Sequence, residues 1–172
     1  MSNYKNPCFD DRDFEDECCE YEPKCHECEP KCPRKCPRIT LLQAIALVPQ
    51  TVAAGFAVPF DTNLINQGNV IIHAAGGTDF NLIIPGIYRV TFTGSVTPVG
   101  TSAGVALALN SSIIPGTTVT ETVIAGTNAS LATQAIVQVS PFISTVLTVV
   151  NPTAGVEAFT NPNVIIEKIG LY

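Results

Sequence analysis

The sequence predicts an all-β body, a sandwich or barrel of eight to ten antiparallel strands, preceded by an irregular Cys/Pro-rich N-terminal tail. Three observations carry this reading. First, 17 of the 24 charged residues and all seven cysteines lie in the first 38 positions. Second, the remaining 134 residues (172 less 38) are rich in Val, Ile, Thr, Ala, Gly and Pro and lack Trp, a composition that favours strands and turns. Third, short apolar runs recur between turn signals at the spacing of sandwich and barrel strands.

The tail, residues 1–38, holds ten acids and seven bases, net −3. Asp10–Glu17 is an acidic run. A near-repeat follows: Glu22-Pro23-Lys24-Cys25, Glu29-Pro30-Lys31-Cys32, then Pro33-Arg34-Lys35-Cys36-Pro37-Arg38. Proline fixes φ and biases its predecessor toward extended geometry, so extended or turn-like backbone is expected. Too few apolar residues are present for this stretch to fold alone. Cross-links, metal or a partner would have to order it.

Residues 39–49 read as a connector, and Ile39–Val48 fits a short helix or a strand equally well. The trimerising domain is placed at 50–172. Strands are expected at 51–58, 69–74, 79–84, 87–97, 103–109, 117–124, 130–139, 144–150 and 163–170. Turns are marked by Asn66-Gln67-Gly68, Gly76-Gly77, Pro85-Gly86, Pro98-Val99-Gly100, Asn110-Ser111-Ser112, Pro115-Gly116, Ala125-Gly126, Asn151-Pro152 and Asn161-Pro162. Alternation puts Tyr88, Val90 and Phe92 on one face of a strand, with Arg89, Thr91 and Thr93 on the other. Elsewhere both faces are apolar, as in Ile71-Ile72, Ile83-Ile84 and Val149-Val150. In a sandwich, that implies a further buried surface, most simply an oligomer interface.

The body carries only Asp61, Asp79, Arg89, Glu121, Glu157, Glu167 and Lys168 as charges. A soluble monomer rarely leaves its surface so short of charge, so copies of the chain are expected to cover one another. Arg89 and Lys168 could not neutralise a phosphate backbone, which argues against nucleic acid. The uncharged run Ile39–Phe60 has the length of a membrane helix, but Gln43, Pro49, Gln50, Thr51 and Gly55 make it read as strand, so no membrane partner is expected. The start Met1–Pro7 has no apolar core, so no conventional secretory signal is expected.

The stretch Phe80–Phe92 carries the pattern F-x-x-x-x-P-G-x-Y-x-V-x-F, through Phe80, Pro85, Gly86, Tyr88, Val90 and Phe92. It resembles the core strand pair of the tumour-necrosis-factor and complement-q-like jelly rolls. Leu109-Asn110-Ser111-Ser112-Ile113-Ile114-Pro115-Gly116 is similar to the Leu-Asn-Gly-x-x-Ile-Pro-Gly turn of bacterial members. Those members include the C-terminal domain of the collagen-like glycoprotein of the bacterial exosporium. The closing strand, Val164–Ile169, suits the same group, and the resemblance spans roughly residues 50–172. It implies a ten-stranded jelly roll that forms tight homotrimers and has no catalytic site. The chain departs from the exosporium glycoprotein in having no Gly-X-Y repeats. The Cys-rich tail stands in place of a collagen stalk.

The cysteines are Cys8, Cys18, Cys19, Cys25, Cys28, Cys32 and Cys36. Cys25, Cys28, Cys32 and Cys36 are near the ferredoxin spacing, but the second gap is one residue too long. The same four, or three with His26, are chemically able to hold zinc, but only one C-x2-C pair is present. Disulfide cross-linking is the leading reading, with a reduced, uncross-linked tail as the plain alternative. An odd number leaves at least one thiol to pair between subunits, and the adjacent Cys18 and Cys19 must look elsewhere for partners. Cysteines without a secretory signal fit a protein made in a mother-cell cytoplasm and later exposed to an oxidising exterior. Bacterial spore-surface layers are built that way.

No cofactor is expected, and no enzyme. His73 lies in an apolar strand, where a lone histidine reads as a hydrogen-bonded core or interface residue. His26 is its only companion, and it lies in the tail, so a Ser/His/Asp arrangement has no support. Asp79, Glu121, Glu157 and Glu167 are isolated along the chain. Arg89 reads as a rim residue or, if inward, as a partner of Asp79 or Glu167. The function expected is a structural subunit of a spore-surface fibre, appendage or exosporium layer. It would self-assemble as jelly-roll trimers joined by the tail, with Ile39–Val48 adding to a neighbour's sheet edge and another spore-surface protein as a further possible partner. The alternative is a spore-surface binding module whose jelly roll recognises a glycan or receptor while the tail anchors it.

Overall fold

The computed structural model describes residues 40–141 and 143–171. The body is a jelly-roll sandwich of two antiparallel sheets. Twelve strands follow in chain order: β1 Leu41–Ile45, β2 Gln50–Val52, β3 Thr62–Gln67, β4 Ile71–Ile72, β5 Phe80–Leu82, β6 Gly86–Pro98, β7 Ser102–Leu109, β8 Ser112–Ile113, β9 Val119–Thr122, β10 Ala129–Val139, β11 Thr145–Val150 and β12 Glu157–Gly170. The first sheet runs β10-β6-β12-β1-β3, with β2 also on β12. The second runs β4-β5-β11-β7-β8, with β9 also on β7.

The longest strands have the clearest alternation. In β10 every second residue is buried, from Ala129 through Leu131, Thr133, Ala135 and Val137 to Val139. In β6 the buried set is Tyr88, Val90, Phe92 and Val96. A period of two places one set in the core and the other on the outer face. Phe60, Phe80, Phe92 and Phe159 fill the centre with Leu42, Leu107, Leu147 and Ile166. Phe60 meets Phe80 edge-on at 5.4 Å, and Phe92 meets Phe159 at 6.4 Å. These are the offset geometries that ring quadrupoles favour.

Residues 40–49, read as part of a connector, contain a strand. Leu41–Ile45 forms β1, hydrogen-bonded to β12 on one side and β3 on the other. Leu42 and Ala44 point into the core. Both backbone edges are occupied within the chain, so this segment is not available to a neighbour's sheet. Two strands lay outside the sequence reading, β3 and β8, and β1 settles Ile39–Val48, left open between helix and strand, as a strand over Leu41–Ile45. The expected strand at 51–58 stops at Val52 because Gly55 turns the chain at φ +76°. It then contacts the second sheet only through the Ala57–Val150 bridge.

Two turns show why the quoted motifs have their sequence. Gly86 has φ +152°, and a Cβ there would lie 2.7 Å from the Gly170 carbonyl oxygen and overlap the Lys168 stem. The Pro-Gly step therefore starts β6 against the end of β12. Asn110 (φ +49°) and Ser111 (φ +66°) make the two-residue β7–β8 hairpin, which needs positive φ at both central positions. The Asn110 side chain tolerates this and accepts a hydrogen bond from the Val146 N–H at 2.8 Å.

Candidate assembly surface

The outer face of the first sheet is assembled row by row from strand register. Ile136 lies opposite Arg89, Arg89 opposite Glu167, and Glu167 opposite Leu41. The next row runs Gln134, Thr91, Ile165, Gln43 and Ile65. A third runs Ala132, Thr93, Asn163 and Ile45. Ile65 and Ile136 are exposed, and Leu41, Ile45, Ile87 and Ile165 are half-buried. The face is thus a band of Ile and Leu side chains among amides and hydroxyls. Its polar pair is Arg89–Glu167, with Nη1 and Oε2 3.6 Å apart and side chains 47% and 39% exposed. Of the two partners expected for Arg89, the fold supplies Glu167. A pair this exposed contributes little stability but remains complementary when a second surface covers it.

His73 sits where the edges of the two sheets meet. Its Nδ1 is 2.7 Å from Asn63 Oδ1 on β3, and its Nε2 is 3.1 Å from the Gly77 carbonyl. Asn63 also donates from Nδ2 to the His73 carbonyl at 3.0 Å. The ring stacks on Phe80 at 4.3 Å. Burial pushes the imidazole below its usual value, opposed by the Gly77 carbonyl and by Asp79. Both ring nitrogens face acceptors, so neutral His73 donates to one of Asn63 Oδ1 and the Gly77 carbonyl, as its tautomer dictates. The ring lies inside the fold and closes the side of the sandwich, so it serves packing.

Glu157 was legible in the sequence only as an isolated carboxylate. The structure buries it completely at the start of β12. Its Oε1 accepts from the Gly104 N–H at 2.8 Å and the Thr153 hydroxyl at 3.1 Å, while Oε2 has no partner. Burial pushes its pKa up, against the pull of those two donors. Asn151, also buried, ties the same corner by donating to the carbonyls of Val52 (3.1 Å) and Gly155 (2.8 Å). The sequence signal for this corner is Gly104, a glycine inside a strand, where a Cβ would lie 2.7 Å from the Thr153 side chain.

Tyr88 donates from its hydroxyl to the Ile84 carbonyl at 2.6 Å, and burial raises its pKa to about 12. It locks the Pro85-Gly86 turn. Among the described residues, no three His, Cys, Asp or Glu side chains come together as a metal site would need. No helix of the described residues is long and apolar enough to cross a membrane. Cys8, Cys18, Cys19, Cys25, Cys28, Cys32, Cys36 and His26 lie outside the described residues.

No protein-family model matches the sequence. No curated protein matches it either. Solved structures do match the fold. The globular domain of the zebrafish complement 1qA protein superposes with a TM-score of 0.58 at 9% identity, covering 77% of this chain and 98% of that one. Murine APRIL at pH 5.0 gives 0.58 at 12% identity, over 77% and 100% of the two chains. The Eiger TNF of S. frugiperda gives 0.53 at 10% identity, over 78% and 95%. At these identities the likeness is one of fold: the body has the architecture of the tumour-necrosis-factor and complement-q-like jelly rolls.

Proposed function

We propose that the chain is a structural subunit of a bacterial spore-surface assembly, a fibre, appendage or exosporium layer. Its jelly rolls associate as homotrimers through the outer face of the first sheet. The Cys-rich tail joins trimers by disulfides. The observation that carries this reading is the pairing of a charge-poor body, whose first sheet presents Leu41, Ile45, Ile65, Ile136 and Ile165 among amides and hydroxyls, with a tail that holds all seven cysteines. A face of this kind is stabilised by burial against neighbouring copies around a three-fold axis, and the Arg89–Glu167 pair sets its register. The jelly-roll architecture is compatible with that use. No catalytic role is proposed, since the two histidines and the scattered carboxylates offer no acid/base pair. The spore setting rests on the exosporium-group resemblance and on the cysteine-rich tail.

The test is negative-stain electron microscopy of the air-oxidised protein before and after reductant, with a variant lacking residues 1–38 beside it. Fibres or ladders that shorten on reduction, and shorter particles from the chain lacking residues 1–38, are the expected results. Polymers whose length changes with neither reduction nor the deletion would remove the tail from the mechanism.

A further inference from the structure

The charges of the body are distributed unevenly along the strand direction. Take as the upper end the one where β6 finishes at Pro98 and β12 begins at Glu157. Four loops meet there: 53–56, 98–102, 123–128 and 151–156. They are tied together by backbone hydrogen bonds, Val99 N to the Val156 carbonyl (3.1 Å), Gly126 N to the Pro98 carbonyl (3.1 Å), Val123 N to the Thr101 carbonyl (2.9 Å) and Gly55 N to the Asn151 carbonyl (2.9 Å). None of the four contains an acid or a base. Their outermost side chains are apolar: Phe56 is 67% exposed, Val99 76% and Ile124 78%, with Val156 beside them.

The lower end, where β6 begins at Gly86 and β12 finishes at Gly170, repeats the pattern. Ile83 and Ile84 project there beside Ile143, Ile169 and Leu171, all exposed. Register places them together, because Leu82 pairs with Thr145, Gly86 with Val139 and Ile87 with Gly170. Among the described residues Lys168 is the charge bordering this end, with its stem beside Gly86. Glu121, opposite Ala103, borders the upper end, and Asp61, Asp79, Arg89 and Glu167 lie between the two. Isolated exposed apolar side chains are ordinary and others lie elsewhere on the body, but groups of four and five gathered at two charge-poor ends are not.

We infer that these ends dock on each other, the upper end of one copy seated on the lower end of the next. This inference rests on the polymeric reading above and adds a contact that needs no cysteine. Charge selects the occupant. An uncharged apolar end offers nothing to a segment with 17 charges in 38 residues, so the tail is a poor fit for it. The lower end of a second copy matches it in being apolar, with Lys168 the border charge to set against Glu121 at the border of the upper end. The two surfaces differ and lie at opposite ends, so the contact is heterologous and does not close. Each copy, or each trimer, keeps one free end and the stack grows along the strand direction. The chain enters the described body at Thr40, whose carbonyl accepts from Lys168 N–H at 3.0 Å at the lower end.

The test uses the full-length protein in reductant, with particle mass read by light scattering and form by electron microscopy. One variant carries V99E and I124E at the upper end, a second I83E and I169E at the lower, and T118E on an exposed loop between the ends is the control. Wild type and control should stack, more so in ammonium sulfate, which strengthens apolar contacts. Each end variant alone should give single particles with unchanged circular dichroism. A mixture of the two should give capped pairs, since one good upper end and one good lower end remain. Pairing by the lower-end variant alone would mean upper ends meet each other, and would overturn the inference. So would wild-type protein that never stacks in reductant. If that protein still forms fibres when oxidised, the tail-linked assembly stands and only the axial contact is lost. Absence of fibres in both conditions would sink the polymeric reading itself.

Discussion

Glu157 and His73 set the pH response of the fold in opposite directions. His73 has a folded pKa below its unfolded value near 6.5, because burial disfavours the imidazolium. Its contribution is complete above that value and is lost as pH falls below it toward the folded value. Glu157 has a folded pKa above its unfolded value near 4.5. Its contribution is complete below that value and is lost as pH rises through the raised folded value. Between about 4.5 and 6.5 the two slopes oppose each other, so each group is read from its own variant. E157Q keeps an acceptor for Gly104 and Thr153 and cannot ionise. Its melting temperature should rise relative to that of wild type as pH goes from 5 to 8. Parallel melting curves for the two proteins across that range would show that Glu157 does not titrate there.

At the scale of elements, the β7–β8 hairpin and β1 illustrate what local sequence conveys. The Asn110-Ser111 turn was legible as a turn, and Asn110 suits positive φ. Ser111 stands where the similar bacterial turn has glycine, and its φ of +66° costs a residue with a Cβ about 1 kcal/mol. Ser111→Gly should raise stability by up to about 1 kcal/mol, offset in part by the freedom glycine adds to the unfolded chain. Chemical denaturation of both proteins reads this directly, and an unchanged or lower midpoint would contradict it. β1 was not legible. Leu41-Leu42-Gln43-Ala44-Ile45 has an apolar residue at four of five positions, so periodicity alone cannot separate strand from helix. The pairing partners decide it: β12 and β3 offer two edges 120 and 20 or so residues away, and a segment between them must be extended. Edge strands such as β3 and β8 were missed for the converse reason. Their exposed residues carry no burial pattern to read.

For the whole molecule, the proposed assembly turns on the first sheet's outer face. Ile65 and Ile136 are exposed on it at opposite edges, so replacing both with Asp leaves the monomer core untouched. I65D together with I136D should convert trimers to monomers in light scattering. It should also lower the melting temperature, because association stabilises the folded chain by mass action. Trimers that persist in the double variant would move the interface elsewhere on the body.

The sequence by itself determined the division between a charged, cysteine-bearing tail and a charge-poor β body. It also determined the all-β class, most long strands, and the turn chemistry at Pro85-Gly86 and Asn110-Ser111. Those features are local: they follow from period-two burial, from proline and glycine dihedrals, and from where charge is absent. Tertiary structure alone decided that residues 41–45 complete a sheet, that Glu157 is sealed against Gly104, and that Arg89 meets Glu167. It alone gathered apolar loops from four separate stretches at one end of the sandwich. Each of these depends on which distant segments become neighbours. That is set by the whole core closing at once, and no window of sequence contains it.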